Sequence, residues 1–145
     1  MVSGNKEAVD RAVEIAKGKG AKRAMLLPVS APFHCSLMQP AADVMADALS
    51  KVKIVKPAVP LVSNVVAMAI SEPDEIRRRL IEQVTGTVRW RESVAFMANA
   101  GVDSFYEVGA GKVLSGLVKR IAAGASGTAI GTPDDVAAFK AARAT

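Results

Sequence analysis

The spacing of apolar residues along the chain switches between a helical period and short strand-like runs. Residues 5–17 carry apolar side chains on one helical face and charged ones on the other, which predicts an amphipathic helix. The same period predicts further helices over residues 36–52 (helical after Pro40), 71–84, 90–101, 112–123 and 133–144. Apolar runs bounded by Pro or Gly predict short strands over residues 23–29, 60–65, 103–109 and 127–131. Strands alternating with helices of this length predict an α/β fold with a parallel sheet covered by helices.

Local signals at the ends of these segments refine the predicted boundaries. Ser3 and Ser71 are expected to cap the first helix and the helix over residues 71–84, because serine hydroxyls accept hydrogen bonds from free backbone N–H groups. Gly18 and Gly20 are expected to end the first helix, and Gly101 is expected to close the helix over residues 90–101.

Composition narrows the classes of protein that the chain can represent. The 145 residues suit one domain, and the aromatic content of 4% argues against an all-β protein. Apolar runs fall short of the roughly 18 residues that a membrane span needs, so no membrane partner is expected. A single cysteine excludes an internal disulfide and fits a reducing cytoplasm. The net charge is +5, but the basic residues are dispersed along the chain and the few aromatic residues are not interleaved with them. We therefore expect no nucleic-acid partner.

The chain's single histidine and single cysteine are neighbours, His34 and Cys35. A structural zinc site needs about four ligands, so no metal site is expected here. Adjacent side chains point apart in a strand or helix, and catalytic Cys–His pairs meet in space and not in sequence. We therefore expect Cys35 to be a half-buried bystander, while His34 can be either a structural residue or a catalytic one.

Two further positions are candidates because they follow predicted strands. Asn64 lies at the end of the strand over residues 60–65, where α/β proteins often place function, although a turn or cap role fits equally well. Gly109 and Gly111 shape a strand-to-helix turn that matches neither the P-loop nor the dinucleotide fingerprint. The backbone N–H groups after them could face an anion, and a plain structural turn fits the spacing as well.

Four motifs in series give the chain a family resemblance. They are "LPVSAPFHCSLMQPAAD" (27–43), "VPLVSNV" (59–65), "LIEQVTGTVRWRESV" (80–94) and "FYEVGAGKVLSGLVKR" (105–120). Together they resemble the C-terminal half of the malonyl-CoA:acyl carrier protein transacylase family. The resemblance implies the C-terminal part of a hydrolase-like, parallel-sheet acyltransferase domain over residues 29–145, with residues 1–28 as a remnant of a ferredoxin-like small subdomain.

The resemblance also implies roles for individual residues. His34 matches the general base of a ping-pong malonyl transfer, and Gln83 matches the residue whose backbone carbonyl orients that base. Phe33 matches a selectivity position, where a large ring fills the space that an α-methyl group on the substrate would need. Asn64, Gly109 and Gly111 are the remaining expected substrate-binding positions. Malonyl-CoA is the expected substrate, and no cofactor is expected.

One family motif is missing from this sequence. The serine nucleophile of the family sits in a G-x-S-x-G turn, and these 145 residues contain none. The chain alone is therefore expected to be inactive, with the serine supplied by an N-terminal half outside this chain. The expected protein partner is acyl carrier protein, which would meet basic residues drawn from Lys53, Lys56, Arg77, Arg78, Lys112, Lys119 and Arg120. The alternative is a non-catalytic fragment or pseudoenzyme that binds carrier protein or a partner chain.

Overall fold

The computed structural model describes residues 2–143, so residue 144 of the last predicted helix lies outside the described part. The chain divides into two compact units, Met1–Arg89 and Trp90–Thr145. This boundary differs from the one expected near residue 28, and the assignment of residues 1–28 to a small subdomain stays a prediction. Among residues 2–143, each helix is too short or too polar to cross a bilayer.

The first unit combines helices with a small β-hairpin. Its elements are α1 (Lys6–Gly18), a 3-10 turn (Ser36–Met38), α2 (Gln39–Ser50), β1 (Leu61–Ser63), β2 (Met68–Ile70) and α3 (Pro73–Thr85). Helix α2 packs against α3, and each buries one apolar side chain, Ala42 and Ile76 respectively. Strands β1 and β2 pair antiparallel, and the Ala67 N–H closes the turn between them on the Ser63 carbonyl at 2.7 Å. This hairpin bonds Asn64 to the segment that follows α3, through contacts described below.

The second unit is a β–α–β arrangement flanked by two helices. Its elements are α4 (Trp90–Asn99), β3 (Ser104–Val108), α5 (Val113–Ile121), β4 (Ser126–Ile130) and α6 (Pro133–Ala142). Strands β3 and β4 pair in parallel from Ser104↔Ser126 to Val108↔Ile130, which a helical crossover such as α5 makes possible. A Cβ on Gly127 would lie 2.5 Å from the Ser115 carbonyl oxygen, so glycine lets α5 lie directly on the sheet. The coarse prediction of an α/β fold with parallel strands is confirmed.

The prediction of a buried strand over residues 23–29 is wrong. These residues form no regular secondary structure and make no ladder hydrogen bonds, and Met25, Leu26, Leu27 and Val29 are 54%, 50%, 52% and 60% exposed. The apolar run is typical of a strand covered on both faces, but a strand forms only where a neighbour supplies its hydrogen bonds. No strand among residues 2–143 pairs with it.

The structure corrects three smaller expectations. Strand β2 was not anticipated, because three residues are too few to show a period. Asn5 and Glu72 occupy the N-cap positions of α1 and α3, and neither makes a side-chain cap bond, so the expected caps at Ser3 and Ser71 are wrong. In α3 the first turn already has Pro73 to fix φ and two acidic residues to complement the helix dipole.

Candidate functional site around His34

His34 lies in a tight loop between the segment over residues 23–29 and the 3-10 turn. The Phe33 N–H donates to the Ala31 carbonyl at 2.9 Å, and the Cys35 thiol donates to the Pro32 carbonyl at 3.1 Å. These bonds fold the loop so tightly that His34 has a φ of 61°, in the left-handed region that non-glycine residues rarely adopt. The Cys35 thiol is thus bonded within the loop, and the side chain of Phe33 beside it is 45% exposed.

The imidazole of His34 contacts the carboxyl end of α3. Its Nδ1 lies 2.9 Å from the backbone carbonyl oxygen of Gln83, and the contact is partly buried. A carbonyl oxygen can only accept, so this hydrogen bond requires the proton on Nδ1. In the neutral ring, Nε2 then carries the lone pair and is the nitrogen able to take up a proton. The arrangement fits a general base whose tautomer is fixed by the backbone.

The end of α3 explains why a backbone carbonyl is available for this contact. The last four carbonyl groups of a helix have no partner inside the helix, and Gln83 lies within the last turn. The side-chain amide of Gln83 donates to the Gly86 carbonyl at 3.0 Å, just after the helix stops. One residue therefore makes two contacts, one through its backbone and one through its side chain.

The hairpin holds the segment that follows α3. The Arg89 N–H donates to the Asn64 carbonyl at 2.9 Å, and the Arg89 guanidinium donates from Nη1 to the Val66 carbonyl at 3.2 Å. Asn64 thus lies at the end of β1, in the same unit as His34 and Gln83, with its carbonyl bonded to the segment after α3. A substrate role for its side chain stays a prediction.

Gly109 and Gly111 belong to the second unit, in the turn from β3 to α5. Their φ values of 134° and 97° suit glycine, and the Gly109 N–H donates to the Ile130 carbonyl at 3.1 Å. The carboxylate of Glu107 accepts from the Leu114 and Ser115 N–H groups at 3.2 and 2.8 Å. The Ser115 N–H is the main cause that holds the pKa of Glu107 below its usual range.

The Glu107 carboxylate therefore occupies the amino end of α5, which the sequence pattern marked as a possible anion site. An external anion would have to displace this internal one. The sequence offered no signal for the contact, because a carboxylate seven residues before Leu114 reaches it only through the glycine turn. Substrate roles for Gly109 and Gly111 stay predictions.

The chain is similar in sequence and in fold to known proteins. Over 138 residues the chain is 47% identical to a malonyl CoA-acyl carrier protein transacylase of Escherichia coli (strain K12), which covers 95% of this chain and 45% of that protein. An acyl-carrier-protein-S-malonyltransferase from Bartonella henselae superposes with a TM-score of 0.89 at 46% identity, covering 98% of this chain and 45% of that one. No protein-family model matches the chain.

One of the similar structures contains a carrier protein. It is a type II PKS acyl-carrier protein in complex with its malonyl-transacylase, 40% identical with a TM-score of 0.82, covering 95% of this chain and 45% of that one. The resemblance predicted from the four motifs is thus confirmed. The chain spans about 45% of the length of these relatives, which agrees with the expected half.

Proposed function

We propose that this chain, a homologue of malonyl CoA-acyl carrier protein transacylases over 95% of its length, is the part of such an enzyme that supplies the general base. The complete enzyme would transfer malonyl from malonyl-CoA to the phosphopantetheine thiol of acyl carrier protein. The observation that carries the proposal is the 2.9 Å contact between His34 Nδ1 and the Gln83 carbonyl, because it leaves Nε2 as the basic nitrogen. The relatives are named as transferases, and none favours a non-catalytic role.

In the proposed reaction His34 moves one proton in each of two half-reactions. A serine hydroxyl from outside this chain attacks the malonyl thioester carbon and loses its proton to Nε2. The C–S bond then breaks, and Nε2 returns the proton to the coenzyme A thiolate. In the second half-reaction Nε2 takes the proton of the carrier thiol, which attacks the malonyl ester, and the serine oxygen regains a proton as it leaves.

The Gln83 carbonyl would keep the imidazole in the useful orientation throughout. We assign Phe33 to the discrimination against α-methylated substrates, and Asn64, Gly109 and Gly111 to substrate binding. The reaction as written needs malonyl-CoA as substrate and no cofactor.

The proposed docking partner is acyl carrier protein, whose acidic surface would meet basic residues of this chain. Lys53, Lys112, Lys119 and Arg120 are exposed and are the strongest of the expected set. Lys56 and Arg78 already pair with Glu72 and Glu75, at 3.1 and 3.4 Å. Arg77 is half-buried and donates to the Val52 carbonyl at 3.0 Å, which makes it the weakest candidate. Charge reversal at each of the exposed positions is expected to weaken carrier binding in a salt-dependent way, whereas unchanged affinity would contradict a docking role for that residue.

The finer structural assignments belong to the same proposal. We assign the chain to the C-terminal half of the enzyme, with residues 29–145 in the large acyltransferase subdomain and residues 1–28 as the remnant of the small one. The remaining half would carry the serine turn that is missing from these 145 residues. A cytoplasmic location follows from the single cysteine only as a prediction.

A chimaera tests the function directly. The first part of the Escherichia coli relative, up to the region of similarity, is joined to this chain, and malonyl transfer to acyl carrier protein is measured. The chimaera is expected to be active, and His34→Ala is expected to lower kcat/KM by about 10²–10⁴-fold, the usual contribution of a general base. The control Cys35→Ser, which keeps a donor for the Pro32 carbonyl, is expected to stay near the parent, and an active His34→Ala variant would refute the assigned base.

The isolated chain gives a second test. Incubation with labelled malonyl-CoA, followed by intact-mass spectrometry, is expected to show no malonyl ester. A serine in this chain that became malonylated would show that the nucleophile is not supplied from elsewhere.

A further inference from the structure

The side chain of Gln83 raises a question that its backbone role leaves unanswered. Every residue type has a backbone carbonyl, so orienting His34 through that carbonyl does not by itself require glutamine. The side chain is nevertheless engaged, since its Nε2 donates to the Gly86 carbonyl at 3.0 Å in a partly buried contact. The geometry at the end of α3 indicates what this second bond does.

If α3 continued past Thr85, the Gln83 carbonyl would accept a hydrogen bond inside the helix and would not be available to His34. The N–H of Thr87, four residues on, is its regular helical partner. In the structure the last such bond runs from the Gly86 N–H to the Glu82 carbonyl at 2.8 Å. Gly86 then turns to an extended conformation, with φ −86° and ψ 150°. Among residues 2–143, no backbone N–H donates to the Gln83 oxygen, which remains free for His34.

The Gly86 carbonyl and the Thr87 N–H belong to the same peptide group. Because that group is planar and trans, its C=O and N–H bonds point in opposite directions. When the Gln83 amide holds the Gly86 carbonyl towards α3, the Thr87 N–H must therefore point away from the helix. The side-chain bond thus prevents the one backbone donor that would compete with His34.

We propose that the Gln83 side chain is a positioning residue for His34, because its bond to Gly86 keeps the Gln83 carbonyl reserved for the imidazole Nδ1–H. The inference rests on the proposed function only for its catalytic consequence. The positioning itself is a property of this chain and can be measured without activity.

The single histidine makes the measurement unambiguous, since one imidazole gives one set of signals. The chain is labelled with ¹⁵N, and long-range ¹H–¹⁵N correlation spectra report the ratio of Nδ1–H to Nε2–H tautomers in the neutral ring. Wild type is expected to be mainly Nδ1–H. Gln83→Met keeps the side-chain length but lacks a donor, and is expected to lower the ratio by about fivefold, as for one ordinary hydrogen bond. Gln39→Met, a matched change on α2, is expected to leave it unchanged.

A rescue variant separates positioning from a general structural role. Thr87→Pro removes the competing N–H, and the extended conformation of Gly86 is the one that a following proline favours. The double variant Gln83→Met/Thr87→Pro is expected to regain most of the wild-type ratio. A general loss of packing at Gln83 would not be repaired by this change.

Each outcome decides for or against the inference. A wild-type ratio in Gln83→Met, or a double variant no better than the single one, overturns it. If Gln83→Met does not fold by circular dichroism, the double variant is compared with Thr87→Pro alone, and a ratio still below that control overturns it. These results do not decide the proposed function, which is tested separately by His34→Ala in the chimaera and by malonyl labelling of the isolated chain.

Discussion

At position 34 the side chain proposed as the general base is carried by an unusual backbone conformation. A φ of 61° costs a non-glycine residue about 1–2 kcal/mol, although histidine, asparagine and aspartate tolerate it better than most. The loop bonds at Phe33 and Cys35 hold this geometry in place. The cost is consistent with a site at which position matters more than local stability.

Substitutions at His34 are expected to separate backbone tolerance from chemistry. His34→Asn should change the free energy of unfolding little, because asparagine accepts the left-handed region. His34→Val should destabilise the chain by about 1–3 kcal/mol, since a β-branched residue is a strong outlier there. Urea denaturation measures both. Equal stability of the two variants would show that the loop relaxes out of this conformation.

Phe33 carries the prediction on substrate choice. In the chimaera, Phe33→Ser should improve kcat/KM for methylmalonyl-CoA relative to malonyl-CoA by about 10–200-fold, the range that one methyl group can supply. The side chain of Phe33 is half-exposed, so it is not committed to the core. Phe33→Tyr, which keeps the ring, is the control. A ratio unchanged in Phe33→Ser would assign discrimination to another residue.

At the residue scale, His34 and Gln83 were predicted as base and orienting partner through resemblance, and not through local pattern. His34 and Gln83 are 49 positions apart, so no periodicity could pair them. The left-handed φ of His34 and the bond from the Gln83 amide to Gly86 depend on how loop and helix end meet in space. Neither has a signature in single-residue preference.

Among the elements, α5 is the one whose stability is expected to depend most clearly on a charge, that of Glu107. Backbone N–H donors, first of all that of Ser115, hold the pKa of Glu107 below 4.5 in the folded chain. Because the folded pKa is the lower one, the carboxylate stabilises the fold above the unfolded pKa near 4.5. That contribution disappears as the pH falls through the folded pKa.

Glu107→Gln is expected to make the chain less stable than wild type near neutral pH, with the difference shrinking below about pH 4.5. Thermal melts across this range measure the effect. Glu14→Gln, which removes an exposed carboxylate that pairs with Lys17 on α1, is the control. A difference that stayed constant down to pH 3 would mean that charge at Glu107 does not support α5.

The elements themselves were largely predictable, and the two exceptions have different causes. All six helices appear where the apolar period places them, because an amphipathic helix satisfies its own backbone. The segment over residues 23–29 failed as a strand because its hydrogen bonds depend on a neighbour. The antiparallel strand β2 was not predicted because its three residues are too few to show a strand-like pattern.

At the scale of the whole molecule, the apolar surface is large for an isolated chain. Val2, Ile15, Val44, Val55, Val59, Val108 and Val113 are all more than half exposed, in addition to the segment over residues 23–29. Surfaces of this kind mark interaction sites or drive association. The sequence predicted a single parallel sheet, whereas the described residues form two separate two-stranded sheets in two units.

We therefore expect the purified chain to associate in a concentration-dependent way, and sedimentation velocity over a hundredfold concentration range measures this. The double variant Met25→Glu/Leu27→Glu is expected to shift the equilibrium towards monomer, because it places charges on the unpaired segment. Lys53→Glu, which changes charge without removing apolar surface, is the control. A sharp monomer at all concentrations would contradict the prediction.

The rate of proteolytic cleavage at the exposed segment over residues 23–29 can also report whether another polypeptide is bound to the chain. Proteases cut chains where the backbone is exposed and outside regular secondary structure, and this stretch is exposed, irregular, preceded by Lys22 and begun by Arg23. Trypsin is therefore expected to cut here early. Any polypeptide that pairs with the segment should slow that cleavage, so the rate of a single cut measures how much of the chain is bound.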